Sequence, residues 1–155
     1  MQADRDDLVE AMVQASRALV GIAARSLADV RADVTLVQFR TLVVLATRGP
    51  QPPSALAEEL AIAPSSVTRM CDRLVAKGLI ERRPSAQDGR QRSIALTSAG
   101  NELVRHVTDA RRAAIEPLVA AIPAEHRTVL TQALLALAAA GGEAPALSWS
   151  DGWTP

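Results

Sequence analysis

The chain has 155 residues, with 17 Lys and Arg against 17 Asp and Glu, and a single cysteine, a length that can bury a real core without disulfide or metal staples. Cys71 has no partner for an intramolecular disulfide, and neither it nor His106 or His126 stands at a metal-ligand spacing, so no cofactor is expected. The N-terminus lacks the basic and apolar regions of a signal peptide and no apolar run is long enough to span a bilayer, which reads as a cytoplasmic protein with no membrane partner.

Val9, Met12, Val13, Leu19, Val20, Ala23 and Leu27 recur at helical spacing and predict a long first helix, started by Asp6 or Asp7, whose stripe is broad enough to face a partner. Thr35 is placed to cap a second helix while Gln38 reaches back to the Thr35 amide, with Phe39, Leu42, Val43 and Ala46 turned inward and an end near Arg48. The proline-rich residues 49–53 break the pattern. Ser54 is the expected cap of a short third helix carrying Leu56, Ala57 and Leu60 on its apolar face. A fourth helix runs from 64 to about 77, with Pro64 in its first turn, Val67, Met70, Cys71 and Leu74 inward, and Gly78 just past its end. Two short helices separated by about three residues make a helix-turn-helix, whose second member is placed to enter a major groove.

Residues 79–83 and 92–96 read as two strands, and Asp88-Gly89 marks a tight bend in the segment between them, giving a projecting hairpin or wing. From Thr97 a long helix carries Leu103, Val104, Val107, Ile115, Leu118 and Val119, with a kink expected at Pro117. A last helix after Pro123 carries Val129, Leu130, Leu134 and Leu137. Residues 141–155, which include Trp149 and Trp153, read as a loose tail. The fold class is therefore mainly α with a small β-hairpin wing: a winged helix-turn-helix plus a helical dimerisation region. The chain divides into an N-terminal dimerisation helix (1–34), the winged domain (35–97), C-terminal dimerisation helices (98–140) and the tail. The apolar stripes at both chain ends exceed what the compact domain can cover, and predict pairing with a second copy.

Charge is distributed less evenly than its neutral total suggests. Between Arg69 and Arg92 seven basic residues face three acidic ones, which suggests an electrostatic footprint on one surface. On the fourth helix Ser65, Ser66, Thr68, Arg69, Asp72, Arg73 and Lys77 lie opposite the apolar set. Short hydroxyl side chains at the helix start allow close approach to groove and phosphates, and Arg69 or Arg73 can reach guanine O6 and N7 or a phosphate. The bland alternative pairs both arginines with Asp72 or Glu81 on a solvated surface. At the wing tip Arg90 is placed to enter a minor groove, with Asp88 bracing it. The expected DNA-contact set is Ser54, Pro64, Ser65, Ser66, Thr68, Arg69, Arg73, Asp88, Arg90 and Arg92.

These pieces resemble the MarR family of winged-helix regulators: VTLVQFRTL at 34–42, LAEEL at 56–60, VTRMCDRL at 67–74, KGLIER at 77–82, and DGR at 88–90 leading to LTSAG at 96–100. The resemblance covers about residues 7–137. It implies that 64–77 is the recognition helix, that Arg90 is the wing arginine, and that the terminal helices form an intertwined dimer. The implied function is a homodimeric transcriptional repressor on a pseudo-palindromic operator in double-stranded DNA, released by a small apolar or anionic effector. Two departures stand at the turn, where the family often has glycine in place of Ala61 and a polar cap in place of Ala63. With no tyrosine and one phenylalanine, an effector pocket would be lined mostly by aliphatic groups, with Arg17, Arg25, Arg40 or His106 as anion partners. Cys71, on the apolar face, reads as a small hydrophobe rather than a redox site, and no nucleophile, base and orienting group converge as an enzyme would require. The competing reading is a winged-helix interaction scaffold without sequence-specific DNA reading.

Overall fold

The computed structural model describes residues 2–31, 33–84 and 92–143. Its elements are α1 (Gln2–Arg31), α2 (Leu36–Arg48), α3 (Pro53–Leu60), α4 (Pro64–Ala76), β1 (Ile80–Pro84), β2 (Arg92–Leu96), α5 (Ser98–Ala120) and α6 (Ala124–Ala140). α1 starts earlier than Asp6, because nothing between Gln2 and Asp7 breaks a helix and Asp4 already supplies negative charge to the first turn. Among the described residues no helix is long and apolar enough to cross a membrane.

The start of α2 is fixed locally. The Gln38 amide donates to Thr35 Oγ1 at 3.3 Å and the Thr35 amide donates to Gln38 Oε1 at 3.1 Å, a reciprocal capping box. The start of α3 differs from expectation. Pro52 holds the cap position and Pro53 opens the helix, so Ser54 lies inside the first turn and caps nothing. A proline there forfeits no helical hydrogen bond and its fixed φ suits the turn, which replaces the work of a hydroxyl cap. Both departures at the α3–α4 turn have a structural counterpart. Ala61 is left-handed, with φ +51° and ψ +42°, and Ala63 begins α4 with no side-chain cap.

At the other end of α4, Gly78 has φ +69° and the Leu79 amide donates to the Leu74 carbonyl at 3.0 Å. That bond keeps Leu79 in the helix terminus, and the first strand accordingly begins one residue later than the sequence suggests. β1 and β2 pair antiparallel, with Ile80 opposite Leu96 and Arg82 opposite Ile94. Residues 49–53 are more than a break: Gln51 bonds Ile94 in both directions, at 3.0 and 2.8 Å, and so adds a rung to the edge of the hairpin.

One core holds these parts together. Phe39, Leu42 and Leu45 of α2, Leu56 of α3, Val67, Cys71 and Leu74 of α4, Ile80 and Ile94 of the hairpin, and Leu103, Val104 and Val107 of α5 are all buried in it, with Leu27 from the end of α1. α5 is seated through Thr97, whose hydroxyl donates to the Gly78 carbonyl at 2.6 Å and accepts from the Gly100 amide at 3.1 Å. Gly100 permits that seat, since a Cβ there would lie 2.1 Å from the Leu79 carbonyl oxygen. α5 continues through Pro117. Beyond this core the apolar stripes stay uncovered: Leu8, Val9, Met12, Val13, Leu19 and Val20 of α1, Leu118 and Val119 of α5, and Val129, Leu130, Leu134, Leu135 and Leu137 of α6 are exposed, and no residue of α6 is buried.

Candidate nucleic-acid interface

α4 presents two faces of opposite character because its apolar residues recur at helical spacing. Val67, Met70, Cys71 and Leu74 are buried, and Pro64, Ser65, Thr68, Arg69, Asp72 and Arg73 are exposed, with Ser66 half-buried. The Thr68 hydroxyl donates back to the Pro64 carbonyl at 3.1 Å. The N-terminus of α4 therefore shows small side chains to the surface, with the Ser66 and Val67 amides already donating to the Ala63 carbonyl at 2.9 and 3.1 Å, so that its pull on anions comes from the helix dipole rather than from a row of free amides.

The two arginines of this face are free to work. Asp72, the acid nearest them in sequence, is taken by Arg82 of β1, and Glu81 is taken by Arg83. Among the described residues neither Arg69 nor Arg73 has an ion-pair or hydrogen-bond partner. The alternative in which both are neutralised on a solvated surface is thus absent from the structure. They border an open cleft of about 360 Å³ between α4 and the start of α2, to which Thr35, Gln38 and Ser66 contribute polar groups. Unpaired guanidiniums beside such a cleft can hold phosphate oxygens or the edge of a guanine.

Of the other expected contact residues, Ser54 is exposed on α3 and Arg92 is exposed at the start of β2. Asp88 and Arg90 lie outside the described residues, as do Trp149 and Trp153. Lys77 corrects the sequence reading. Its side chain is 23 % exposed, and its ammonium holds the Asp33 carboxylate at 2.7 Å and the Asp33 carbonyl. With Arg31 on the same carboxylate at 2.8 Å, these hydrogen bonds, Lys77's foremost, hold Asp33 down at about 2 from an ordinary 3.8. Lys77 thus anchors the end of α4 to the α1–α2 turn.

Cys71 is buried and burial pushes its thiol up, away from the thiolate form that redox chemistry needs. Of the suggested anion partners, Arg17, Arg25 and His106 are exposed, and Arg40 is tied to Glu143 at 2.7 Å. Arg111 joins the site although no motif in the sequence marks it. Its guanidinium sits 5.8 Å from the centre of the Phe39 ring, its Nε is buried with no partner among the described residues, and burial lowers its pKa. Position 111 continues the helical series of Val104 and Val107, so periodicity alone places it on the inward face. Among the described residues no group of His, Cys, Asp and Glu is arranged to hold a metal.

Residues 34–91 match the family model described as the MarR family. An HTH-type transcriptional regulator of Mycobacterium bovis is 32 % identical over 112 residues, which span 72 % of this chain and 78 % of that protein. The multiple antibiotic resistance protein MarR of Salmonella typhimurium is 38 % identical over 68 residues, 44 % of this chain and 47 % of that one. Among solved structures, RV1404 of Mycobacterium tuberculosis is similar with a TM-score of 0.84 and 42 % identity, covering 91 % of this chain and 96 % of that one. A MepR variant of Staphylococcus aureus bound to an oligodeoxyribonucleotide shares the fold, with a TM-score of 0.61 and 23 % identity over 86 % of this chain and 96 % of that one.

Proposed function

The chain belongs to the MarR family of DNA-binding transcriptional regulators, and on that premise we propose that it is a cytoplasmic homodimeric repressor which reads a pseudo-palindromic operator, one copy to each half-site. The observation that carries the proposal is the pair of exposed guanidiniums of Arg69 and Arg73 on α4, unpaired among the described residues, beside acids that the wing strand has already neutralised. Pro64, Ser65, Ser66 and Thr68 of the same helix, and the exposed Ser54 and Arg92, complete the proposed contact set, with Asp88 and Arg90 added on the sequence pattern alone. In this reading residues 35–97 are the DNA-reading domain and 1–34 and 98–140 pair the two copies; of the segment 141–155 expected as a loose tail, Gly142 and Glu143 are instead held by Arg48 and Arg40 of α2, and residues 144–155 lie outside the described residues. The uncovered apolar faces of α1, α5 and α6 support the pairing. Release by a small apolar or anionic effector belongs to the same proposal, and the buried Nε of Arg111 against Phe39, without a partner among the described residues, is the feature that favours it.

Binding of a fluorescent operator by wild type, Arg69→Ala and Arg73→Ala tests the assignment. A side chain that reads a guanine should cost about 1 to 3 kcal/mol on replacement and relax preference at one base position. One that holds a phosphate should weaken all sequences alike and reduce the salt slope by about 1. Unchanged affinity and unchanged salt slope in both variants would remove these residues from the interface.

A further inference from the structure

α6 stands apart from its own chain and is nevertheless fastened at both ends. At its start Arg127 donates from Nε to the Ile122 carbonyl at 3.0 Å and from its terminal nitrogen to the Ala120 carbonyl at 3.3 Å, which fixes the α5–α6 turn. Past its end, Glu143 lies 2.7 Å from Arg40 of α2, and Arg48 at the far end of α2 donates to the Gly142 carbonyl at 3.2 Å. The same two arginines hold Glu59 of α3, at 2.9 Å from Arg48 and 3.7 Å from Arg40. Two guanidiniums on α2 thus form a hub between the first helix of the helix-turn-helix and the end of an otherwise uncovered helix. Glu59 stands one residue before the end of α3, directly ahead of the turn into α4.

We propose that Arg40, Arg48, Glu59 and Glu143 form a joint that sets the angle between α6 and the helix-turn-helix, and through it the separation of the two recognition helices in the dimer. The inference rests on the dimeric reading given above. These four are positioning residues, acting through α3 and α2 rather than on DNA. Their side chains are between 22 % and 47 % exposed, and a pair in that setting shifts an equilibrium by about two- to fivefold. That is far too little to decide whether the domain folds, and enough to bias an angle between two bodies. Charges so exposed are also screened, over about 8 Å at physiological salt and about 3 Å at 1 M. The joint therefore loosens as salt rises.

A pulsed spin-label distance measurement on the full chain tests this. Glu58, exposed on α3, is replaced by cysteine to carry the label in a Cys71→Ala chain, so that a dimer reports one distance between its two helix-turn-helix units. The parent should give a narrow distribution, and Glu143→Gln and Arg40→Gln should each broaden or shift it. The double substitution should add little to Arg40→Gln, because Arg40→Gln already removes the Glu143 contact. Operator affinity should fall two- to fivefold while the melting temperature stays where it was. Distributions that superimpose on the parent's would overturn the joint, as would a lowered melting temperature with unchanged distances, which would mark these residues as ordinary structural contacts. A parent with no dipolar signal would remove the dimer, and the joint's role with it.

Discussion

Lys77 has the look of a DNA-contacting lysine, standing at the end of a basic recognition helix, yet its ammonium is committed to Asp33. The partner is 44 residues away in sequence, which is why charge counting along the chain could not find it. The consequence is measurable in acid. Asp33 has a folded pKa near 2, below its ordinary 3.8, so the folded state binds its proton less readily than the unfolded chain does. Its contribution to stability is fully present above the unfolded value and is lost as pH falls toward the folded one. Chemical denaturation between about pH 5 and about pH 2 should show a shallower decline for Asp33→Asn than for wild type. Identical declines would mean that the clamp contributes nothing in solution. Arg69 and Arg73 were legible for the opposite reason. Helical spacing alone turned them outward, although only the structure shows their neighbouring acids already occupied by Arg82 and Arg83.

At the scale of elements, the short-range chemistry was readable and the long-range chemistry was not. The Thr35–Gln38 box lies within four residues and appears as expected, as do the inward face of α4 and its outward one apart from the half-buried Ser66 and Lys77. Ser54 was misassigned because a hydroxyl before a helix is a common cap, and here two prolines occupy the start instead. The Gln51–Ile94 rung joins segments with no local signal of pairing. The α3–α4 turn carries a testable cost. An L-residue in the left-handed region costs about 1 to 2 kcal/mol, and glycine returns about 0.4 to 1 kcal/mol of that as extra freedom of the unfolded chain. Ala61→Gly should therefore stabilise the protein by up to about 1.6 kcal/mol in equilibrium denaturation, and a loss of stability would show the turn to be unstrained. Gly100→Ala poses the reverse case. Alanine favours a helix over glycine by about 1 kcal/mol, but here its Cβ would meet backbone, the Leu79 carbonyl oxygen, at 2.1 Å. Overpacking, typically about 1 to 3 kcal/mol and here toward the upper end because the clash is with backbone, should win, seen as a lowered denaturation midpoint, whereas a midpoint at or above wild type would mean that the Thr97–Gly100 seat yields easily.

For the whole molecule, the division between a closed core and open helical faces was visible in the sequence because apolar periodicity runs on past the residues the core can use. Val129, Leu134 and Leu137 carry that signal in α6 and remain exposed. The attachment of α6 to the helix-turn-helix was not visible, since Arg40 and Glu143 are 103 residues apart and charged residues on a surface have many equivalent choices of partner. A chain with no net charge and a basic reading face should bind DNA through a local field rather than a global one, so its affinity should fall steeply with salt. Selection of bound sequences from a random pool of duplex DNA tests the central claim most directly, because it reads DNA binding, pairing and recognition-helix placement together. The expected product is a pseudo-palindrome whose half-site centres lie about one helical turn, roughly 10 base pairs, apart. Recovery of a single asymmetric site, or no enrichment over the starting pool, would contradict a dimer that reads DNA with one α4 in each half-site.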